Sequence, residues 1–132
     1  MSKEQNIATV KQLYADVVAK NLEGVFNALT DDIRWEPPFV PELHHTRLQR
    51  GKDGVKNWVI EMATEVTYSQ VVPQAIYADG DAVIVKGHFE GTANSTGKSF
   101  QSDWVHLWTF RDDKICSYQS FFNTYNVASA FK

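Results

Sequence analysis

The sequence predicts an α+β domain with helices packed on one face of a curved antiparallel sheet. Two observations carry this. Apolar residues recur at helical spacing three times in the first half of the chain, and four long extended stretches separated by turn signals fill the second half. Helices gathered ahead of a strand meander pack together on one side of it, and the wedge between the layers is where ligand pockets form.

Taken in order, Ser2 and Gln5 have capping-box spacing. Ile7, Val10, Leu13, Tyr14, Val17 and Val18 then form the apolar stripe of a helix over residues 3–19. Asn21 can cap a second helix over 22–29, with Val25, Phe26 and Leu29 on its buried side. Residues 33–36 form a short strand, stopped by Pro37 and Pro38. Residues 39–50 show no periodicity, so they form a loop. It holds His44 and His45, which as neighbours in extended chain point opposite ways. They lack a third ligand and are expected to be polar loop residues, with no metal site.

The stretch from Gly51 to Gly54 opens a third helix over 53–64, with Val55, Trp58, Val59 and Met62 as its stripe. Residues 66–77 are extended, and Pro73 marks them as an edge strand or a bulged one. A turn at Asp79, Gly80 and Asp81 leads to a strand over 82–92, and the polar turn at 94–97 leads to the last hairpin. Strands 99–110 and 115–122 flank the turn at 111–114, and Asn123 or Thr124 caps a final helical turn through Ala130.

In that hairpin, Phe100, Ser102, Trp104, His106, Trp108 and Phe110 share one face with Tyr118, Ser120 and Phe122. The opposite face carries Val105, Leu107, Thr109, Ile115 and Phe121 among polar residues, too little charge for water. That face is expected to pair with a second copy in an isologous homodimer.

Composition narrows the function. The 132 residues make one domain, 1–132, and 43% hydrophobic residues suffice for an ordinary core. A net charge of -3 with no basic stripe gives nucleic-acid binding no support. No run of 18 apolar residues occurs, and the opening Met1-Ser2-Lys3-Glu4-Gln5 is not a signal peptide. A soluble cytoplasmic protein without membrane contact is therefore expected. The single Cys116 excludes an internal disulfide and is expected to be inert packing. No glycine-rich phosphate loop, metal-spaced cysteine pair or Gly-x-Ser-x-Gly elbow is present, so no cofactor is expected.

The candidate site is aromatic. His106, flanked on its face by Trp104 and Trp108, is either a satisfied core histidine or a pocket residue acting as a neutral hydrogen-bond donor or proton shuttle. Tyr14 is either core or a phenol aimed at the same pocket, while His88 alternates onto the outward side. Trp35, Trp58, Phe89, Trp104, Trp108, Tyr118 and Phe122 are the candidate binding wall, joined by Asn123 if it does not serve as a helix cap.

The chain resembles the SnoaL-like group of the NTF2-like superfamily, close to ketosteroid-isomerase-related proteins. Residues 10–38 are similar to the family's opening helix pair and first strand. Gly51-Lys52-Asp53-Gly54-Val55 is similar to its third-helix entrance. Thr96-Gly97-Lys98, the run Asp103-Trp104-Val105-His106-Leu107-Trp108 and Asp112-Asp113-Lys114-Ile115 are similar to its closing hairpin. The resemblance implies an NTF2-like (cystatin-like) cone: three N-terminal helices on a strongly curved antiparallel sheet that encloses a pocket, usually as a homodimer. It implies that Tyr14 stands where the steroid isomerases place an oxyanion-binding phenol, and that His106 stands where they place a second donor. Pro37 replaces the general base, Glu36 beside it has the wrong parity, and Asn123 stands where many relatives carry Asp.

Three readings are left open. The first is a cofactor-independent isomerase or cyclase acting on an apolar carbonyl compound through Tyr14 and His106. The second is a non-catalytic protein for a small apolar or aromatic ligand. The third is a dimerisation or accessory domain with a filled interior.

Overall fold

The computed structural model describes residues 2–132; Met1, the first residue of the expected domain and of the stretch read as no signal peptide, lies outside them. Helix α1 (Lys3–Val18) starts at the Ser2–Gln5 capping box, both halves of which form. Helix α2 is Leu22–Asn27, and strand β1 is Leu29–Glu36. After a 3-10 turn at His44–Thr46 and a two-residue strand β2 (Gln49–Arg50), helix α3 runs Gly51–Glu65. Four long strands follow: β3 (Val66–Asp79), β4 (Ala82–Ala93), β5 (Ser99–Arg111) and β6 (Lys114–Phe122). Helix α4 (Thr124–Ser129) closes the chain. No helix among the described residues is long and apolar enough to cross a membrane.

The sheet has six strands in the order β2-β1-β6-β5-β4-β3. The expected meander β3 to β6 is antiparallel throughout, and β1 adds to its far side in parallel with β6. The antiparallel expectation therefore misses one pair. β1 begins at Leu29, which the sequence reading gave to the second helix, because Leu29 pairs with Ile115 and drops straight into the core. Pro73 lies in the edge strand β3, next to one of its two register shifts.

Two parity corrections matter. The register shifts between Thr109 and Phe110, so the Phe110–Ile115 and Thr109–Ser117 pairs leave Cys116 as the extra residue of a bulge. One inserted residue reverses facing, and Ile115, expected outside, is fully buried beside Phe110. Cys116 itself is partly exposed rather than buried packing.

On α1 the buried positions are Asn6, Val10, Leu13 and Asp16, while the expected stripe members Val17 and Val18 face solvent. Asp16 takes their place because α2 supplies partners. Its Oδ1 accepts from Gln12 and Asn21, and Gly24 packs where any side chain would meet the carboxylate.

Candidate active site

The sheet places the site by register. Trp35 on β1, Tyr118 on β6 and Trp108 on β5 are lateral neighbours in one row, and their rings touch: Trp35–Tyr118 centroids are 4.1 Å apart and Trp108–Tyr118 centroids 4.5 Å. In the next row His106 stands between Val85 and Ser120, both smaller than the rings around them. Trp104, in the row beyond, pairs with Gly87 and Phe122. Its indole lies parallel to the His106 imidazole at 3.9 Å.

Helix α1 lowers Tyr14 onto this surface. The Tyr14 hydroxyl is 2.7 Å from Nδ1 of His106, and Nε1 of Trp108 donates to the same hydroxyl at 3.1 Å. Burial pushes the phenol pKa well above its usual range, so Tyr14 keeps its proton. Burial pulls His106 from 6.5 down to about 3, so its imidazole is neutral at pH 7.

These states fix the hydrogen bonds. The indole can only donate, so Tyr14 accepts from Trp108. If Tyr14 then donates to Nδ1 of His106, all three groups are satisfied. If instead His106 donated from Nδ1, the Tyr14 proton would have no acceptor among the described residues. The relay therefore runs Trp108 to Tyr14 to His106, and Nε2 of His106 carries the remaining hydrogen as a donor.

Further aromatic rings extend the wall. Trp58 on α3 meets Trp35 edge-on at 5.3 Å. Trp35, Trp58 and Trp104 bury indole N–H groups that find no partner among the described residues. Phe89 and Phe122, expected in the same wall, contact each other at 5.3 Å but belong to a second cluster with Tyr68 and Phe100. Asn123 caps α4, its side-chain oxygen accepting from the Asn126 N–H, and it also lines a surface cleft with Asp103 and Phe121. Glu36 faces away from the interior, held by Arg34 at 2.8 Å and Gln119 at 3.2 Å, and Pro37 contributes no acid or base. His88 lies on the outer sheet face between Asp103 and Glu90.

Besides Asp16, the buried polar residues Asn6 and His45 escaped the sequence reading. Asn6, two turns before Tyr14 on the same side of α1, is 1% exposed, and neither end of its amide has a partner among the described residues. Its signal was an amide at a stripe position. His45, expected to be a polar loop residue, is only 5% exposed. Its backbone N–H and its Nδ1 both bond Glu65 Oε1, at 2.9 and 3.0 Å, while the His44 N–H bonds Glu65 Oε2 at 2.9 Å. These bonds strap the loop to the end of α3, where no local pattern would have put it.

Residues 10–118 match the SnoaL-like domain family. A search of the curated proteins finds no match. Among solved structures, an NTF2-like protein from Burkholderia xenovorans is 27% identical with a TM-score of 0.90, covering 100% of this chain and 99% of that one. An NTF2-like protein of unknown function from Burkholderia pseudomallei is 25% identical with a TM-score of 0.90 and the same coverage. TerC, co-crystallized with polyporic acid, is 25% identical with a TM-score of 0.87, covering 96% of this chain and 98% of that one. The fold is thus an NTF2-like α+β fold with an open, mostly antiparallel sheet.

Proposed function

The chain belongs to the SnoaL-like family, and we propose that it binds a small, planar, apolar carbonyl compound and polarises that carbonyl through the Tyr14–His106 pair. The observation that carries this reading is the relay from Trp108 through Tyr14 to His106. It fixes a neutral imidazole with Nε2–H as a free donor among stacked aromatic rings. A donor held in low-dielectric surroundings stabilises negative charge on a carbonyl oxygen more than water does. The unpartnered indole N–H groups of Trp35 and Trp58 support the same ligand class, because buried donors call for an oxygen acceptor. The co-crystallization of TerC with polyporic acid adds support from a relative.

The chemistry this favours is of the cofactor-independent isomerase or cyclase kind, with Nε2–H of His106, its tautomer set by Tyr14, holding the developing oxyanion. A purely binding role is the second reading. It is favoured by His106 itself, whose pKa near 3 makes it a weak base at neutral pH.

Titration of tryptophan fluorescence with aromatic aldehydes and ketones tests the proposal. Carbonyl ligands should quench the protein, and Tyr14→Phe should weaken them about tenfold, because it frees the His106 tautomer that carries the Nε2–H donor. Hydrocarbons of the same shape should be indifferent to the change. Equal loss for both kinds of ligand would overturn carbonyl recognition.

A further inference from the structure

The Tyr14–His106 pair supplies one free donor, Nε2–H of His106, and no base. The second buried imidazole has the opposite polarity. His45 packs on the side of α3 that carries Trp58 and Glu65, seven residues and two turns apart. Backbone N–H groups from His44 and His45 and the His45 side chain hold the Glu65 carboxyl below the usual carboxylate range against the cost of its burial. Glu65 is therefore ionised at neutral pH and can only accept. Nδ1 of His45 must then carry the hydrogen, and Nε2 presents a lone pair with no hydrogen bond among the described residues.

A chain of packed aromatic rings joins the two imidazoles. Ring centroids step from His45 to Trp58 at 6.3 Å, on to Trp35 at 5.3 Å, to Tyr118 at 4.1 Å and to His106 at 5.1 Å. One end offers N–H and the other a lone pair. Two rings of this chain, Trp35 and Trp58, carry unpartnered indole N–H groups.

We propose that His45, held by Glu65, is the proton-accepting end of this site, and that the ligand is a planar compound longer than one ring with a carbonyl at one end and a conjugated hydroxyl at the other. This rests on the carbonyl-binding reading above. In the proton step the ligand O–H bond breaks. The proton goes to Nε2 of His45 and the electron pair stays on the ligand. The charge spreads through the conjugated rings to the carbonyl oxygen, which His106 meets from Nε2. The new imidazolium is held by the Glu65 carboxylate at 3.0 Å. Glu61 on α3 adds a further negative charge nearby. His44, on the same turn, lies 3.4 Å from Glu65 and competes for that carboxylate once protonated.

The test uses 4′-hydroxybiphenyl-4-carboxaldehyde and, lacking only the hydroxyl, biphenyl-4-carboxaldehyde. The hydroxy compound should bind wild-type protein about tenfold tighter, and its phenolate absorption should appear at lower pH bound than free. His45→Gln and Glu65→Gln should bring the two probes to equal affinity and return the phenolate absorption to its free pH, whereas Tyr14→Phe should weaken both probes alike. If both probes bind equally and respond to Tyr14→Phe but not to His45→Gln, His45 has no part in the site and carbonyl recognition stands. If neither binds, both readings fall. Histidine side-chain nitrogen NMR on wild-type protein needs no variant: the hydroxy probe should convert His45 from the Nδ1–H form to imidazolium, and unchanged His45 resonances on saturation would overturn the proposal.

Discussion

Gly87 lies directly beneath the indole of Trp104. The two are cross-strand partners, and a Cβ on Gly87 would sit 2.1 Å from an indole ring carbon. The missing side chain is what lets the indole lie flat and stack on His106. Gly87→Ala should therefore cost roughly 1–3 kcal/mol by overpacking and disturb ligand binding through His106. An unchanged melting temperature would show that the indole can move aside freely.

Trp104 is 1% exposed, so it is core as well as support. Trp104→Ala should destabilise by roughly 3–5 kcal/mol, read from urea denaturation. A loss below about 1 kcal/mol would mean that the ring fills no essential space.

Tyr14→Phe removes the acceptor for Trp108 and the donor for His106 in one step. Two partly buried polar groups lose a partner, and a stability loss of about 1–3 kcal/mol is expected. Calorimetry showing a stabilised variant would argue that water replaces the hydroxyl without loss.

Acid should unfold this protein early. The folded state holds His106 from 6.5 down to about 3 and holds His45 lower than usual, both by burial, so the unfolded chain binds protons that the folded chain refuses. Stability then falls as pH drops from about 6.5 towards 3, by at most about 1.4 kcal/mol per pH unit for His106, with His45 acting in the same direction. Glu65 acts in the same direction at the acid end, since its depressed pKa adds stability above its ordinary 4.5 that is lost below it. His88 on the surface is raised by Asp103 and Glu90, so its contribution runs the opposite way and is lost as pH rises. Melting temperature should fall between pH 6.5 and 4.5, and more gently in His106→Gln. A flat profile in wild-type protein would contradict the neutral, buried imidazoles.

The outer sheet face exposes Ile84, Val105 and Phe121, the last at 50%. Pairing of this face with a second copy is the expected use of such a surface. Light scattering should report twice the monomer mass at micromolar concentration, and Phe121→Lys should return the monomer. A wild-type monomer would remove this face as an interface.

Much of the architecture could be read from period and punctuation. The alternation through β5 placed Trp104, His106 and Trp108 on one face, and the capping signals at Ser2 and Asn21 and the turn at Gly80 fell where elements begin or end. The errors came where the deciding partner lies on another element. The extra residue at Cys116 is visible only against Thr109 and Phe110 across the hairpin. Asp16 is buried because α2 folds back on it, and His45 is buried because Glu65, twenty residues on, collects its loop. Local periodicity carries no record of such pairings. Of the site, Tyr14 and His106 could be named from face and family, but the direction of their hydrogen bond follows only from Trp108 standing beside them.

The parallel pairing of β1 with β6 also sets an order of events. Leu29 pairs with Ile115 and Trp35 with Tyr118, so an early strand finds its neighbour only in the last strand of the sheet. On a ribosome the meander from β3 to β5 can form while β1 still lacks its partner, and Trp35 stays without its stacking ring until Tyr118 emerges. Assembly of the aromatic wall is thus a late, non-local step, of the kind that slows folding and leaves apolar surface open to misassociation in the interval.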